Sequence, residues 1–184
     1  KPGVIFLNAA RGPVIETDAL LQVLGSRVSH AVIDCWEGEP AYRADLLARA
    51  DLATPHIAGH SYEGKVNGTA IVYRKACAFF GAEAACAFAL PPPPVPLCET
   101  DGAGRRDEDV LRELVLRVYD IESDSKRLKD SCSEDAPARA AAFDAQRSNY
   151  PMRREFASTR VRIAGASASL ERKLRGLGFL FEAV

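Results

Sequence analysis

The stretch VIFLNAARGPVIETDALLQVLGSRVSHAVIDCWEGEPAYRADLLARADLATPHI, residues 4–57, decides the fold. Val4 to Ala10 is a short apolar run ending in small residues, which predicts a strand buried on both faces of a parallel sheet. A loop with Gly12 and Pro13 follows. Leu20, Leu21 and Leu24 then recur at helical spacing, with Thr17 as the expected N-cap and Gly25 as the stop. His30 to Trp36 reads as a second strand, Arg43 to Ala50 as a short helix, and Asp51 to Ile57 as a third strand. Strands alternating with helices give βαβαβ, so the expected class is α/β with a parallel sheet and right-handed crossovers.

Outward from this stretch, Tyr62 to Phe80 predicts a long helix whose Val66, Ala70, Val72, Tyr73 and Ala76 leave room for a packed face and a solvated one. The run Pro91 to Pro94 cannot continue a helix or pair inside a sheet and tends to polyproline II, which places a domain boundary there. The chain is thus expected to divide into residues 1–90 and 91–184. In the second segment Asp107 to Asp120 is an acidic-started amphipathic helix with Val110, Leu111, Leu114, Val115 and Val118 on one side. Ala138 to Tyr150 reads as another helix, Ser158 to Gly165 as a strand, Ser167 to Gly178 as a helix stopped by glycine, and Phe179 to Val184 as a closing strand. This makes the second segment a small α/β unit.

Composition narrows the function classes. The 184 residues are 47% hydrophobic and 27% charged, the balance of an ordinary globular protein. Lys and Arg number 24 against 25 Asp and Glu, so no basic excess points to nucleic acid or to an anionic membrane. Cys35, Cys77, Cys86, Cys98 and Cys132 are odd in number and never form a C-x-x-C pair. That argues against a disulfide framework and a zinc site and fits a reducing cytoplasm. No apolar run reaches the length of a membrane span and no signal peptide is visible. The first residue, Lys1, sits in what reads as a loop entering a strand, and a truncated start is expected.

In open parallel sheets ligands bind beyond the carboxyl ends of the strands. Arg11 follows the first strand, Asp34 and Glu39 the second, and His56 with Ala58 and Gly59 the third. Interconverting a 2-hydroxy acid and its keto acid needs a cation for the carboxylate, a proton donor for the carbonyl oxygen and a hydride carrier. Arg11 suits the first need through its bidentate fork. His56 suits the second if a carboxylate fixes its tautomer, and Glu39 is the natural candidate. Asp34 could accept a hydrogen bond from a nicotinamide carboxamide. Taken singly, each has a plainer reading: Arg11 as a surface cation, His56 as a hydrogen-bonded structural histidine, Glu39 as a loop acid, Asp34 as a turn former.

The strings NAARGPVIETDAL, AVIDCWEGEP and TPHIAGHSYEGK, at these separations, resemble the last part of the D-isomer-specific 2-hydroxyacid dehydrogenases. WEGEP, the EGK after the His56 loop, LVLRVYDIESD, FDAQRSNYPMRRE and LGF are similar, within them, to the erythronate-4-phosphate dehydrogenase family. The resemblance implies the C-terminal half of a Rossmann-type parallel sheet followed by a small α/β dimerisation domain. It implies NAD as cofactor, a small phosphorylated 2-hydroxy acid as substrate, a homodimer formed through the C-terminal domain, and a step toward pyridoxal phosphate. By resemblance Arg11, Glu39 and His56 fall on the catalytic positions, and Ala9, Ala10, Arg11, Asp34 and Gly59 on positions that contact NAD. His60 stands where the family usually has a substrate-contacting Tyr; an imidazole there can still donate to a phosphate or carboxylate. GAGRRD, Gly102 to Asp107, lacks a third glycine and follows no evident strand, so it is not expected to be the family's G-x-G-x-x-G loop. Two other functions stay open: a dehydrogenase for a different D-2-hydroxy acid, and a catalytically silent dimerisation module.

Overall fold

The computed structural model describes residues 2–182. Its first sheet holds β1 (Val4–Asn8), β2 (Val28–Ile33) and β3 (Leu52–Ala53), all parallel in the order β1-β2-β3, with α1 (Thr17–Val23) and α2 (Ala44–Arg49) as the crossovers. The chain continues through α3 (Tyr62–Phe80), β4 (Leu97–Asp101), α4 (Asp107–Val118), α5 (Ile121–Asp130), α6 (Ala136–Ser148), β5 (Arg160–Ala164), α7 (Ala168–Leu177) and β6 (Leu180–Glu182). The last three strands form a second parallel sheet in the order β4-β5-β6. The α/β class and the parallel pairing expected from the strand–helix alternation are therefore present twice.

The described chain falls into two compact units. The first comprises residues 1–58 and 121–151, the second residues 59–120 and 152–184. Chain order and compactness do not coincide, because α5 and α6 lie beyond the proline run yet join the first sheet. The cause is apolar packing: Leu128 of α5 and Phe143 of α6 are buried in one core with Leu20, Ile33, Trp36, Tyr42 and Leu46. Trp36, Tyr42 and Phe143 pack in succession, with ring centroids 5.1 and 5.4 Å apart and planes tilted by 45°. Burying side chains of this size contributes about 1.5–3 kcal/mol each. The second unit has its own core of Cys98, Val110, Leu114, Val161, Ile163, Leu170, Leu174 and Phe179, which joins the sheet to α4 and α7.

Four local expectations are revised. β1 is not buried on both faces: Ile5 and Leu7, alternate residues on one side of an edge strand, are 68% and 64% exposed. β3 is two residues long, because from Thr54 onward the backbone amides turn to the end of β2 instead of continuing a ladder. Thr17 is the first residue of α1 and not its cap; its amide is taken by the Glu37 carboxylate at 2.8 Å. β4 and α5 come as additions. α5 buries Asp124 and Ser125 along with Leu128, a pattern that apolar periodicity does not report. Among the described residues no helix is long and apolar enough to cross a membrane.

Candidate active site

Asn8, 4% exposed at the end of β1, organises the first loop. Its side-chain amide donates to the carbonyls of Arg11 and Cys35, each at 3.0 Å, while its Oδ1 accepts from the Ala10 amide at 3.2 Å. Its backbone carbonyl accepts from the Asp34 and Cys35 amides, so one residue ties the ends of β1 and β2 together. Gly12 completes this contact. A Cβ there would lie 2.0 Å from the Trp36 carbonyl oxygen, a distance no side chain allows. The result holds Ala9, Ala10 and Arg11 exposed at the carboxyl end of the sheet.

Asp34 is the corresponding hub at the end of β2. Its buried carboxylate accepts from Thr54 Oγ1 (2.7 Å), the Ile57 amide (2.7 Å), the Ala58 amide (3.0 Å) and the Cys35 thiol (3.8 Å). A carboxylate has about four lone-pair positions. In this chain they serve to fold the loop after β3 back over β2. The Asp34 carbonyl also accepts from the His56 amide at 2.8 Å.

That loop presents His56 in the left-handed region, at φ 53°, with its ring about a quarter exposed. The His56 Nδ1 is hydrogen-bonded to Glu39 Oε1. The other Glu39 oxygen accepts from the Trp36 amide at 3.0 Å, and Trp36 Nε1 donates to the Thr54 carbonyl at 2.9 Å. Glu39 is thereby fixed from the β2 side and His56 from the β3 side. The carboxylate defines the ring's Nδ1–H tautomer and leaves Nε2 as the atom with an available lone pair.

Cys35 reports the electrostatics between these loops. Burial pushes its thiol up to about 11, the Asp34 and Glu39 carboxylates add to the rise, and the Arg11 guanidinium opposes it. Arg11 and Glu39 therefore act on the same buried atom, although their loops follow different strands. A thiol held in that range is not a nucleophile at neutral pH.

Of the residues singled out from sequence, Arg11, Asp34, Glu39 and His56 gather at the carboxyl end of the first sheet, with Ala9 and Ala10 beside Arg11. Exposed Gly59 and half-buried His60 open the second unit, next to Ser61, whose hydroxyl accepts the Gly64 amide at 3.0 Å and caps α3. Sequence reasoning missed Asn8, Thr54 and Trp36. Polar residues at strand ends were a visible signal, yet none carries reactive chemistry of its own. Among the described residues no group of three His, Cys, Asp or Glu side chains could hold a metal ion.

GAGRRD does follow a strand, since β4 precedes it and α4 begins at Asp107. It still offers no phosphate cradle. Asp107, Glu108 and Asp109 fill the first turn of α4, and Arg105 is engaged by Glu113 at 2.8 Å.

Comparison with known proteins bears on both units. Residues 1–58 match the family model of the D-isomer specific 2-hydroxyacid dehydrogenase NAD binding domain. Residues 90–178 match a domain of unknown function, DUF3410. The chain is 40% identical over 184 residues to an erythronate-4-phosphate dehydrogenase of Pseudomonas putida strain W619, covering 97% of this chain and 47% of that protein. It is 41% identical over 181 residues to the enzyme of the same name from Pseudomonas fluorescens Pf-5, with the same coverage. To that from Cellvibrio japonicus it is 37% identical over 188 residues, covering 97% of this chain and 49% of the relative. The chain thus spans about half the length of the curated relatives it matches. With the strand-end loops of its first sheet arranged as described, residues 1–58 carry the match to the D-isomer specific 2-hydroxyacid dehydrogenase NAD binding domain, and the chain is similar from end to end to one half of erythronate-4-phosphate dehydrogenases.

Proposed function

We propose that this segment supplies the proton-transfer and carboxylate-binding groups for NAD-dependent oxidation of 4-phospho-D-erythronate to its 2-oxo acid. The observation that carries the reading is the His56–Glu39 pair, set at the mouths of two adjacent parallel strands with Arg11 on the third. With Nδ1 committed to Glu39, His56 takes the substrate's hydroxyl proton at Nε2 during oxidation and returns it during reduction. Glu39 stabilises the imidazolium so formed. Arg11, exposed beside Ala10, receives the substrate carboxylate through its guanidinium fork. NAD supplies the acceptor for the hydride that leaves C2.

The residues present fit one end of that cofactor. Exposed backbone at Ala9 and Ala10, together with Arg11, suits the nicotinamide end. We assign Asp34 to the cofactor's carboxamide as well, at a carboxylate that also shapes the His56 loop. We assign Gly59 to the cofactor and His60 to the phosphorylated end of the substrate, both from their place in the loop after β3. The second sheet is our candidate for the homodimer contact, and a reducing cytoplasm suits five free thiols.

Substrate choice is tested by joining residues 1–184 to the remaining half of the Pseudomonas putida relative and following NAD reduction. Faster turnover with 4-phospho-D-erythronate than with D-lactate or D-glycerate is expected; equal rates would end the substrate assignment. A second reading, that these 184 residues alone are catalytically silent, is favoured by the exposed apolar edge at β1. Saturable NAD binding by the isolated chain in calorimetry would contradict it.

A further inference from the structure

The hairpin of α5 and α6 contributes no residue to the proton path, yet it touches the His56 loop at both ends. Ser125, buried on α5, accepts the Ala53 amide at 3.0 Å where β3 stops. Lys129 donates to the Ala50 and Asp51 carbonyls at 2.6 and 3.2 Å, holding the entry to the same strand. On α6, Arg147 Nε donates to the His56 carbonyl at 3.4 Å. Pro55 and Ile57, on either side of His56, line a cavity of about 280 Å³ together with Asp124, Asn149 and Tyr150. Tyr150 donates its hydroxyl to the buried Asp124 at 2.6 Å, so the lining is itself cross-braced.

A non-glycine residue at positive φ persists only where its surroundings hold it. For His56 the amide is held by Asp34 and the carbonyl by Arg147. The ring leaves the backbone between those two points, so its direction toward Glu39 depends on both. We infer that Ser125 and Arg147 are positioning residues for His56, and that the α5–α6 hairpin belongs functionally to the proton-transfer site despite following the proline run. The inference rests on the proton-transfer reading of His56, but its test involves neither substrate nor NAD.

Long-range 1H–15N spectra of the 184-residue chain at about pH 8 report which ring nitrogen of His56 carries the proton. In the unaltered chain a single Nδ1–H pattern is expected. Arg147→Gln and Ser125→Ala should each draw the two ring-nitrogen shifts toward one another, the mark of a ring that has lost its fixed tautomer. Arg147→Lys, which keeps a donor, should restore the original pattern. A lowered melting temperature with the Nδ1–H pattern intact in both variants overturns the inference, and so does averaging in Arg147→Lys equal to that in Arg147→Gln. If one variant does not fold, the other decides. Failure of both to fold also counts against the inference, because the hairpin would then be a stability element only. A tautomer lost in these variants, beside an intact enzyme whose turnover ignores His56→Asn, would leave the positioning role standing and sink the dehydrogenase reading.

Discussion

The described residues form two three-stranded parallel sheets of the same strand order, and the candidate site lies at the end of the first. At the carboxyl ends of β1, β2 and β3 stand buried Asn8 and Asp34, each tying two loops together, with His56, Glu39 and Arg11 displayed on those loops. At the matching ends of β4 and β5 the loops meet through glycine. The Gly102 amide donates to the Ala164 carbonyl at 2.9 Å, and Gly165, at φ 67°, presses against Ala103. The Asp101 carboxylate there accepts the Ala103 amide at 2.8 Å, and its carbonyl accepts from Arg105 at 3.1 Å. Equal topology with unequal strand ends means that parallel pairing alone does not set the two ends apart; the buried polar hubs do.

The strongest way to break this contrast is to exchange charge at each sheet's end. In a chain restored to the relatives' length, His56→Asn should lower turnover about 10²- to 10⁴-fold, the worth of a positioned acid–base group. Asp101→Asn should leave turnover unchanged. Comparable losses in both would dissolve the distinction between the two sheets.

Next in size is the hub itself. Asp34→Ala strands the Thr54 hydroxyl and the Ile57 amide, both buried, and frees the Ala58 amide. The expected cost is about 3 kcal/mol in urea unfolding followed by Trp36 fluorescence. A loss well below that value would mean that water replaces the carboxylate at little cost.

The second unit has a buried charge of a different kind. Glu63, 8% exposed, receives Arg154 Nε at 2.6 Å, the Ser158 hydroxyl and the Glu155 amide at 3.0 Å. Burial acts to raise its carboxyl, but these donors outweigh it and hold the group below the ordinary carboxylate range. A carboxyl whose folded value is lowered adds stability that is complete above the unfolded value, about 4.3, and is lost as pH falls through the folded value. Amide exchange in β5 and α7 should therefore quicken as pH drops below about 4, after correction for intrinsic exchange, and Glu63→Gln should flatten that dependence. An unchanged slope in the variant would remove Glu63 from the acid response.

The smallest effect is expected on the open face of the second sheet. Arg162 bridges Glu99 and Glu182 across three strands at 2.8 and 2.9 Å, with solvent at hand. Arg162→Ala should leave the melting temperature of the monomer unchanged, since exposed pairs contribute little. A clear drop that depends on protein concentration would instead mark this face as a contact between copies.

Much of the first sheet was legible because its residues obey short-range rules. VIFLNAA, HAVIDCW and DLATPHI announce strands through apolar content, and the ETDALL helix announces itself through spacing. The residues just past each strand pointed to a candidate site, since Arg11, Glu39 and His56 carry chemistry that few other roles demand together. α3, expected from about Tyr62 to Phe80, spans those residues, and the structure adds its Ser61 cap and Gly81 stop. α5 was not expected, because the side chains it buries, Asp124 and Ser125, are polar and answer to partners more than twenty residues away.

The sequence by itself determined most of the elements, β4 and α5 excepted, and which side chains can do chemistry, because helix spacing, strand composition and functional-group identity are local properties. Only the tertiary structure decided that α5 and α6 return past the proline run to join the first sheet. It alone decided that the Asp34 carboxylate accepts from the His56 loop. Those outcomes depend on which distant groups compete for the same core volume and the same lone pairs, and no window of adjacent residues contains that information.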